Sequence, residues 1–527
     1  MINSPSIRTT LRHRVFRGYW SASTLYFIGS AMQTMAASWL MVERTGSTFL
    51  AALVQTAVFL PMFLLSLPAG VLSDTTDRRR LMLVSLALQA LTALLLAGLL
   101  LAGVAGGGTI LLLTFVAGCC SAMLLPALNS SVGEILPRED LPQAIVAMGI
   151  AYNAARALGP ALAGLVYGLL GGGWVYALAV SGTLVMMAAV WRWPPRTHPP
   201  SRLPAERLWG GTLAGLRYSW HSETMLAQLV RTAAYGGAGS ALWALLPAIG
   251  QQRLGLGAEG FGLLMACLGT GAVAAGLVLG PVRQRLGLER LVNGGCVVFA
   301  AVMLVTALSR WALPVYLALV AGGAAWMSVM STFNTATQTG APPWVRSRAT
   351  AMHVLSALGS FALGSAFWGA IAGIAGVAVA LCGAAACMLA GLLLARRFPL
   401  RMGDASDVTQ AVPFEDLLMT DEPDPEAGPV AVELDYRIAA EDAPAFLAAI
   451  EQLRAPRRRD GATLWRVYRD LGDPTRYVER FIVTRWADYL HQRARATLAD
   501  QELEAQVRAF VTEGVPVTMH HYIAERS

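Results

Sequence analysis

The chain contains no lysine; all 40 of its basic side chains are arginine, an absence that reads as coding bias without mechanistic content. Charge of either sign is scarce, at 14% of 527 residues, against roughly 25% in a soluble chain. That shortage excludes the string of globular domains that length alone would imply. Cysteine is scarce too. Cys119, Cys120, Cys267, Cys296, Cys382 and Cys387 all fall inside apolar runs, with neither a disulfide framework nor a metal-ligand spacing. They read as buried structural thiols, and adjacent Cys119-Cys120 as small residues in a helix interface. No G-x-x-x-x-G-K-[ST] loop occurs, which argues against a nucleotide-driven pump. Nor does a carboxylate stand deep in an apolar run, since Glu43, Asp74 and Glu134 lie toward run ends.

What the chain has is apolar sequence, 55% hydrophobic residues with a mean hydropathy of +0.52. Runs near 17–42, 48–72, 81–103, 109–134, 142–169 and 174–192, then 223–249, 258–281, 288–309, 313–340, 347–372 and 375–396, each have the length of a lipid-spanning helix. The spacing predicts an α-helical polytopic membrane protein of about twelve helices. The basic start (Arg8, Arg12, Arg14, Arg17) precedes a run with no small-residue cleavage site, so it reads as a retained first helix. The net charge of +7 is not a nucleic-acid signature, because the arginines stand in alternate loops between runs. One side collects the N-terminal arginines, Arg78-Arg79-Arg80, Arg138, the 192–217 segment, Arg283, Arg285, Arg290, Arg346, Arg348, Arg396 and Arg397; the other has Arg44, Arg253 and Arg310. The positive-inside rule places both termini and the central linker in the cytoplasm of a bacterial cell with the protein in its inner membrane.

The runs fall into two sets that repeat. Asn129 and Asn334 are 205 positions apart, and the same shift pairs Pro137 with Pro342, Ala144 with Ala349, Leu158 with Leu363, Gly159 with Gly364, Gly164 with Gly369, Gly168 with Gly373 and Gly171 with Gly376. We therefore divide the chain into an N-terminal six-helix bundle (1–193), a Pro- and Arg-rich linker (194–222), a second six-helix bundle (223–397), an acidic, Pro-containing linker (398–429) and a tail (430–527). Within the first linker, residues from about Arg207 to Trp220 have the pattern of an amphipathic helix lying on the membrane. The tail reads strand, helix, strand, strand, helix, strand (Val430–Ile438, Glu441–Leu453, Thr463–Arg469, Tyr477–Thr484, Trp486–Phe510, Val517–Ala524), the βαββαβ order of a small ferredoxin-like α+β domain. Its His491, Arg493, His520 and His521 have no metal spacing and read as solvated or sheet-face positions.

Three features carry chemistry. Arg156 stands near mid-span, where a charge costs at least about 2.5–3.5 kcal/mol, so it should face a polar cavity and contact substrate or balance a carboxylate. Pairing with nearby polar groups for structure alone is the competing reading. Asn153, Gln33, Asn129, Asn334 and Gln338 are further cavity candidates, while Gln55, Gln89 and His353 serve equally well as interhelix hydrogen-bonding groups. Gly159, Pro160 and Gly164 combine close packing with a lost backbone bond, which suits a hinge. Between the second and third runs lies Gly70-Val-Leu72-Ser-Asp74-Thr-Thr-Asp77-Arg78-Arg79-Arg80, where an aspartate beside arginines and helix ends can form a charged latch. The matching stretch of the second half, Gly276 through Arg285, keeps arginines but no acid.

The Gly70–Arg80 loop resembles the signature loop of the major facilitator superfamily, with Asp77 where that family has glycine. Phe16-Arg17, Trp20, Trp39-Leu40, Thr45-Gly46-Ser47, Leu136-Pro137-Arg138-Glu139-Asp140-Leu141 and Arg156 through Pro160 resemble its enterobactin-exporter-like, transmembrane secretion effector branch. The tail looks similar to dimeric α/β-barrel domains. The resemblance implies the twelve-helix major facilitator fold, a latch at Gly70, Asp74, Arg78 and Arg79, and proton-driven export of a siderophore or amphiphilic drug by alternating access. It implies no catalytic residue, metal or cofactor, and partners limited to substrate, protons and the bilayer, with dimerisation or a protein partner through the tail. Uptake of a metabolite, or a membrane-tethered sensor or enzyme acting through the tail, are the competing functions. Glu43 and His353 are the weak candidates for proton coupling.

Overall fold

The computed structural model describes residues 10–137, 140–193, 216–342, 345–401, 409, 423–512 and 514–525. Twelve long helices follow one another: α1 (Arg14–Thr45), α2 (Thr48–Thr75), α3 (Arg78–Leu101), α4 (Gly107–Ile135), α5 (Leu141–Leu170), α6 (Gly172–Arg192), α7 (Glu223–Ala248), α8 (Ala258–Leu286), α9 (Leu288–Leu308), α10 (Ala312–Gly340), α11 (Arg346–Ala375) and α12 (Val377–Ala390). Eleven of the described helices are long and apolar enough to cross a membrane; α7 is the exception. Gln228, Arg231, Thr232 and Ser240 dilute its apolar character, and all four are buried.

Local sequence explains the breaks. Gly46 takes the left-handed conformation (φ 63°) that ends α1, and Ser47 caps α2 by accepting from the Leu50 amide at 3.2 Å. Asp77, the departure from the family loop, is the N-cap of α3. With φ −64° it needs no glycine, and its carboxylate accepts from the amides of Arg79 (2.9 Å) and Arg80 (3.3 Å). The repeat is physical: Gly171 and Gly376 turn the chain at matching positions with φ 88° and 90°. The thiols differ from expectation, for only Cys120 and Cys296 are buried and Cys387 is exposed. A thiol is small and weakly polar, so lipid suits it as well as a core does.

The chain divides into two compact units, Met1–Arg202 with Arg231–Thr332 and Leu355–Arg397, and Leu203–Val230 with Phe333–Val354 and Phe398–Ser527. In the second unit Tyr218, Met225, Ala341, Val345 and Ala349 form one buried cluster, and the Tyr218 hydroxyl donates to the Gly340 carbonyl at 3.4 Å. That packing is why the unit border cuts across the six-helix boundary at 223.

The tail in the same unit is a four-stranded antiparallel sheet, β1 (Val430–Arg437), β2 (Leu464–Arg469), β3 (Arg476–Val483) and β4 (Thr518–Ile523), in the order β2-β3-β1-β4. Val430, Val432, Leu434 and Tyr436 alternate onto the face covered by α13 (Ala443–Glu451), α15 (Trp486–Arg495) and α16 (Leu498–Arg508). The single helix expected over 486–510 is two, because Thr497 and Asp500 form a capping box that starts a new one. A short helix α14 (Arg454–Asp460) also appears. Glu479, 0% exposed, anchors the interior by accepting from Tyr436 (3.0 Å), Arg457 (3.0 Å) and Trp465 (2.9 Å).

The tail should weaken in acid. His521 shares a 2.6 Å hydrogen bond with Tyr489, and burial, then Arg493 and His520, hold it below the ordinary 6.5. A depressed histidine favours the folded state above the unfolded pKa, and that contribution is lost as pH falls through the folded value. Protection of the β4 amides, measured against their intrinsic exchange rate at each pH, should therefore fall below about pH 6.5, and His521→Gln should flatten the dependence.

Candidate transport pathway

Gly149, Tyr152, Arg156, Ala163 and Tyr167 fall along one face of α5. Tyr152 packs edge-on against Phe27 of α1 (5.3 Å between centroids), and the Arg156 guanidinium lies 6.0 Å from the Tyr152 ring centroid. Farther along the face Ala163 is 0% exposed, and the Tyr167 hydroxyl donates to the Glu43 carboxylate of α1. Arg156 itself is exposed, but on the stripe that becomes interior toward Leu170, away from exposed Leu158, Leu162 and Leu165. Asn153 donates to the Gly149 carbonyl of its own helix at 2.9 Å.

The other candidates are described each in its own unit. Gln33 lines a polar cavity inside the first half with Gln89, Thr92, Thr114 and Ser121, where Gln89 donates to Ser121 at 3.0 Å. Asn129 is exposed on α4. Asn334 and Gln338 belong to the second unit, where Gln338 donates to Asn334 at 2.9 Å. His353, in that unit too, is buried.

Two seams join the halves, and the repeated glycines make both. A Cβ on Gly159 would stand 2.6 Å from the Ala31 methyl and 3.0 Å from the Ile28 carbonyl, so α5 lies on α1 of its own half; Gly364 meets α7 at Gly237 and Ser240 in the same way. One turn on, the partners change. A Cβ on Gly164 would stand 2.7 Å from the Ala258 carbonyl and 3.0 Å from the Gly262 Cα of α8, while its counterpart Gly369 touches Ala52 of α2. The α2–α11 seam continues through Thr56, which donates to the Ala362 carbonyl at 2.9 Å, and the Phe59–Phe361 ring pair at 4.7 Å. Gln252, in a π-helical turn after α7, donates to the Gly46 carbonyl at 3.1 Å and closes the same end as Tyr167 and Glu43. Gly159, Pro160 and Gly164 thus stand where α5 leaves its own half for the other, and the helix runs unbroken through Pro160.

The side chains of Gly70 and Asp74 lie outside the described residues. Arg78 pairs with Glu134 of α4 at 2.6 Å and Arg79 donates to the Trp191 carbonyl of α6. Both contacts lie within the first half. Sequence reasoning missed the ion pair of the second half, in which Arg231 of α7 binds both Glu289 oxygens at 2.7 Å and the Asn293 oxygen at 2.8 Å. The i, i+4 spacing of Glu289 and Asn293 on α9 was its one sequence signal. It also missed an aromatic cluster in which Trp243, Trp326 and Phe361 pack together and Phe361 meets Phe59 of the first half.

Paired bundles joined by α5–α8 and α2–α11 seams define a major facilitator fold, and solved structures share it. The nucleoside transporter NupG aligns with a TM-score of 0.59 at 12% identity, covering 73% of this chain and 100% of that one. A bacterial homologue of the lysosomal transporter Spinster aligns at 0.55 and 15%, covering 72% and 94%. The profile of the transmembrane secretion effector family matches residues 6–527, and the chain belongs to that family of major facilitator transporters. It is 29% identical over 270 residues to the multidrug efflux pump Tap of Mycobacterium tuberculosis, covering 48% of this chain and 62% of that pump. The chain thus spans less than two thirds of the pump's length. It is 26% identical over 368 residues to the enterobactin exporter EntS of Shigella flexneri, covering 68% and 85% respectively. Eleven helices long and apolar enough to cross a membrane, among the described residues, accord with that family.

Proposed function

We propose that the protein exports an amphiphilic compound, drug-like or siderophore-like, from the bacterial cytoplasm across the inner membrane by alternating access driven by protons. The observation that carries this reading is Arg156, an exposed permanent cation in mid-span beside the Tyr152 ring on α5, the helix whose Gly164 meets the second half. A substrate or counter-charge must come to it. The Trp243–Trp326–Phe361 cluster supplies the apolar, aromatic surface that an amphiphile needs. The relatives' names, a multidrug pump and an enterobactin exporter, support the outward direction. Arginine on the α2–α3 and α8–α9 turns supports cytoplasmic termini, and the β2-β3-β1-β4 order supports a ferredoxin-like tail. Arg78, Arg79, Gly70 and Asp74 would latch the cytoplasmic ends, with α5 flexing at Gly159–Gly164.

The test is accumulation of a fluorescent amphiphile and of a catecholate siderophore in cells expressing the wild type, Arg156→Ala or Arg156→Lys at matched membrane abundance. Export predicts a protonophore-sensitive fall in accumulation. Arg156→Ala should lose it by at least about tenfold, the loss of roughly 1.4 kcal/mol of binding, while lysine keeps part of it. Accumulation equal to that of empty cells for both compounds would reject the export reading for them. A rise would instead favour uptake.

A further inference from the structure

Gln89 of α3 is 4% exposed, and its amide is only half used. Nε2 donates to Ser121 of α4 at 3.0 Å, while Oε1 is buried and accepts from none of the described residues. Tyr26, which interacts with both Gln89 and Ser121, does not satisfy that oxygen. A carbonyl oxygen left without a donor inside a lipid-embedded bundle is costly, so a partner should stand there. Turning the amide over would present a donor in place of the acceptor and leave the same deficit.

The cavity that Gln89 lines has room for such a partner, and its chemistry narrows the choice. It measures about 40 Å³ and is bounded by Ser30, Gln33 and Thr34 of α1, Thr92 of α3 and Ser121 of α4. Thr34 and Thr92 spend their protons on carbonyls of their own helices, those of Ser30 at 3.1 Å and Gln89 at 2.8 Å. Both hydroxyls keep lone pairs that can accept. No charged side chain is among the described lining residues, so a bound ion would lack the counter-charge it needs at this depth. A drug-sized ligand fills roughly 300–1,000 Å³, which excludes the transported amphiphile. At roughly 10–15 Å³ for each water molecule, the space holds about three.

We infer that the first half binds a cluster of about three water molecules between α1, α3 and α4, anchored on the Gln89 amide and the Thr34 and Thr92 hydroxyls. Water donates and accepts at once, which this mixture of amide and hydroxyl groups requires. Gln33 then serves hydration rather than substrate contact. The cluster lies on a different side of α1 from the seam, because Ala31, between Ser30 and Gln33 in the chain, is the residue beneath Gly159 of α5. α1 is thus packed closely on α5 and held to α3 and α4 through water. Bonds through water tolerate small displacements that direct packing does not, so α1 can follow α5 without unpacking its own half. The inference concerns the interior of the first half alone and does not depend on export.

The experiment is X-ray radiolytic footprinting of the full-length protein in nanodiscs. Hydroxyl radicals formed from water oxidise the side chains beside it, and mass spectrometry reads the rate at each residue. Leu96 and Tyr176 line the cavity at 2% and 3% exposure. Leu86 and Leu124, at 0%, and Tyr19, at 3%, pack in the apolar core of the same half and serve as references. In the wild type Leu96 should be oxidised several-fold faster than Leu86 and Leu124, and Tyr176 several-fold faster than Tyr19. A water-soluble radical scavenger should not slow either, since the radicals arise inside the protein. Gln89→Met, close in shape but without the amide, should bring both rates down to those of the references. Thr306→Val, at a buried hydroxyl of the second half, should leave them unchanged. Leu96 as slow as Leu86 in the wild type would overturn the inference by showing a dry cavity, and that comparison needs no variant. Unchanged rates in Gln89→Met would overturn it too, as would protection of Leu96 by the scavenger, which would show a channel open to bulk water. Steady oxidation of Leu86 and Tyr19 in Gln89→Met separates loss of bound water from loss of the fold.

Discussion

Glu289→Leu should destabilise the second half by about 3–5 kcal/mol, the cost of stranding a buried charge, whereas Arg231→Leu should cost less. Arg231 is 4% exposed, and its guanidinium spends both terminal nitrogens on Glu289 and Asn293. Removing Glu289 leaves a cation that cannot lose its proton in the interior of a helix bundle, with one neutral oxygen for company. Removing Arg231 leaves a carboxylate whose side chain is 33% exposed, which can hydrate. The double replacement Arg231→Leu with Glu289→Leu should recover most of the loss, because a well-packed apolar pair often equals a buried ion pair. Thermal unfolding in detergent, followed by size-exclusion of the four proteins, reads the cycle. Equal melting of Glu289→Leu and the wild type would show that the pair contributes nothing, and additive single losses would show that the two side chains do not act together.

Much of this arrangement was legible in the sequence because short-range rules set it. Thr45-Gly46-Ser47 holds a C-cap and an N-cap in consecutive residues, and the structure uses both. The glycines 205 positions apart were visible as a repeat, and close helix packing needs glycine wherever two backbones approach. What periodicity cannot supply is the partner. Gly159 and Gly164 read alike as small residues, yet one faces α1 and the other faces α8. Arg231 and Glu289 stand 58 positions apart, and neither half of the pair signals the other. Gln33 reads as a candidate for the cavity of Arg156, whereas the pocket it lines lies inside the first half with Gln89 and Ser121. The break at Thr497 was legible and overlooked: Thr497-Leu-Ala-Asp500 is a capping box in plain sequence.

The seam glycines should separate folding from transport. Gly164→Leu adds a side chain where even a Cβ would sit 2.7 Å from the Ala258 carbonyl and 3.0 Å from the Gly262 Cα, both backbone atoms that cannot rotate away. Overpacking of this kind costs typically about 1–3 kcal/mol. If the halves alternate as proposed, the cost falls on the conformation in which α5 and α8 meet, while each half keeps its own contacts, including Gly159 on α1. A penalty of that size on one of two alternating states shifts their ratio by roughly five- to 150-fold, so cycling stalls while the protein remains folded. Gly369→Leu, pressing on Ala52 of α2 across the second seam, should do the same by symmetry. The measurement is reaction of an impermeant maleimide with a cysteine placed at Gln252, whose hydrogen bond to the Gly46 carbonyl marks the sealed end. Labelling should be slow with wild-type glycines and several-fold faster with either leucine, alongside lost efflux and unchanged melting. Unchanged labelling with lost melting would make these glycines packing residues of the fold and not elements of a moving seam.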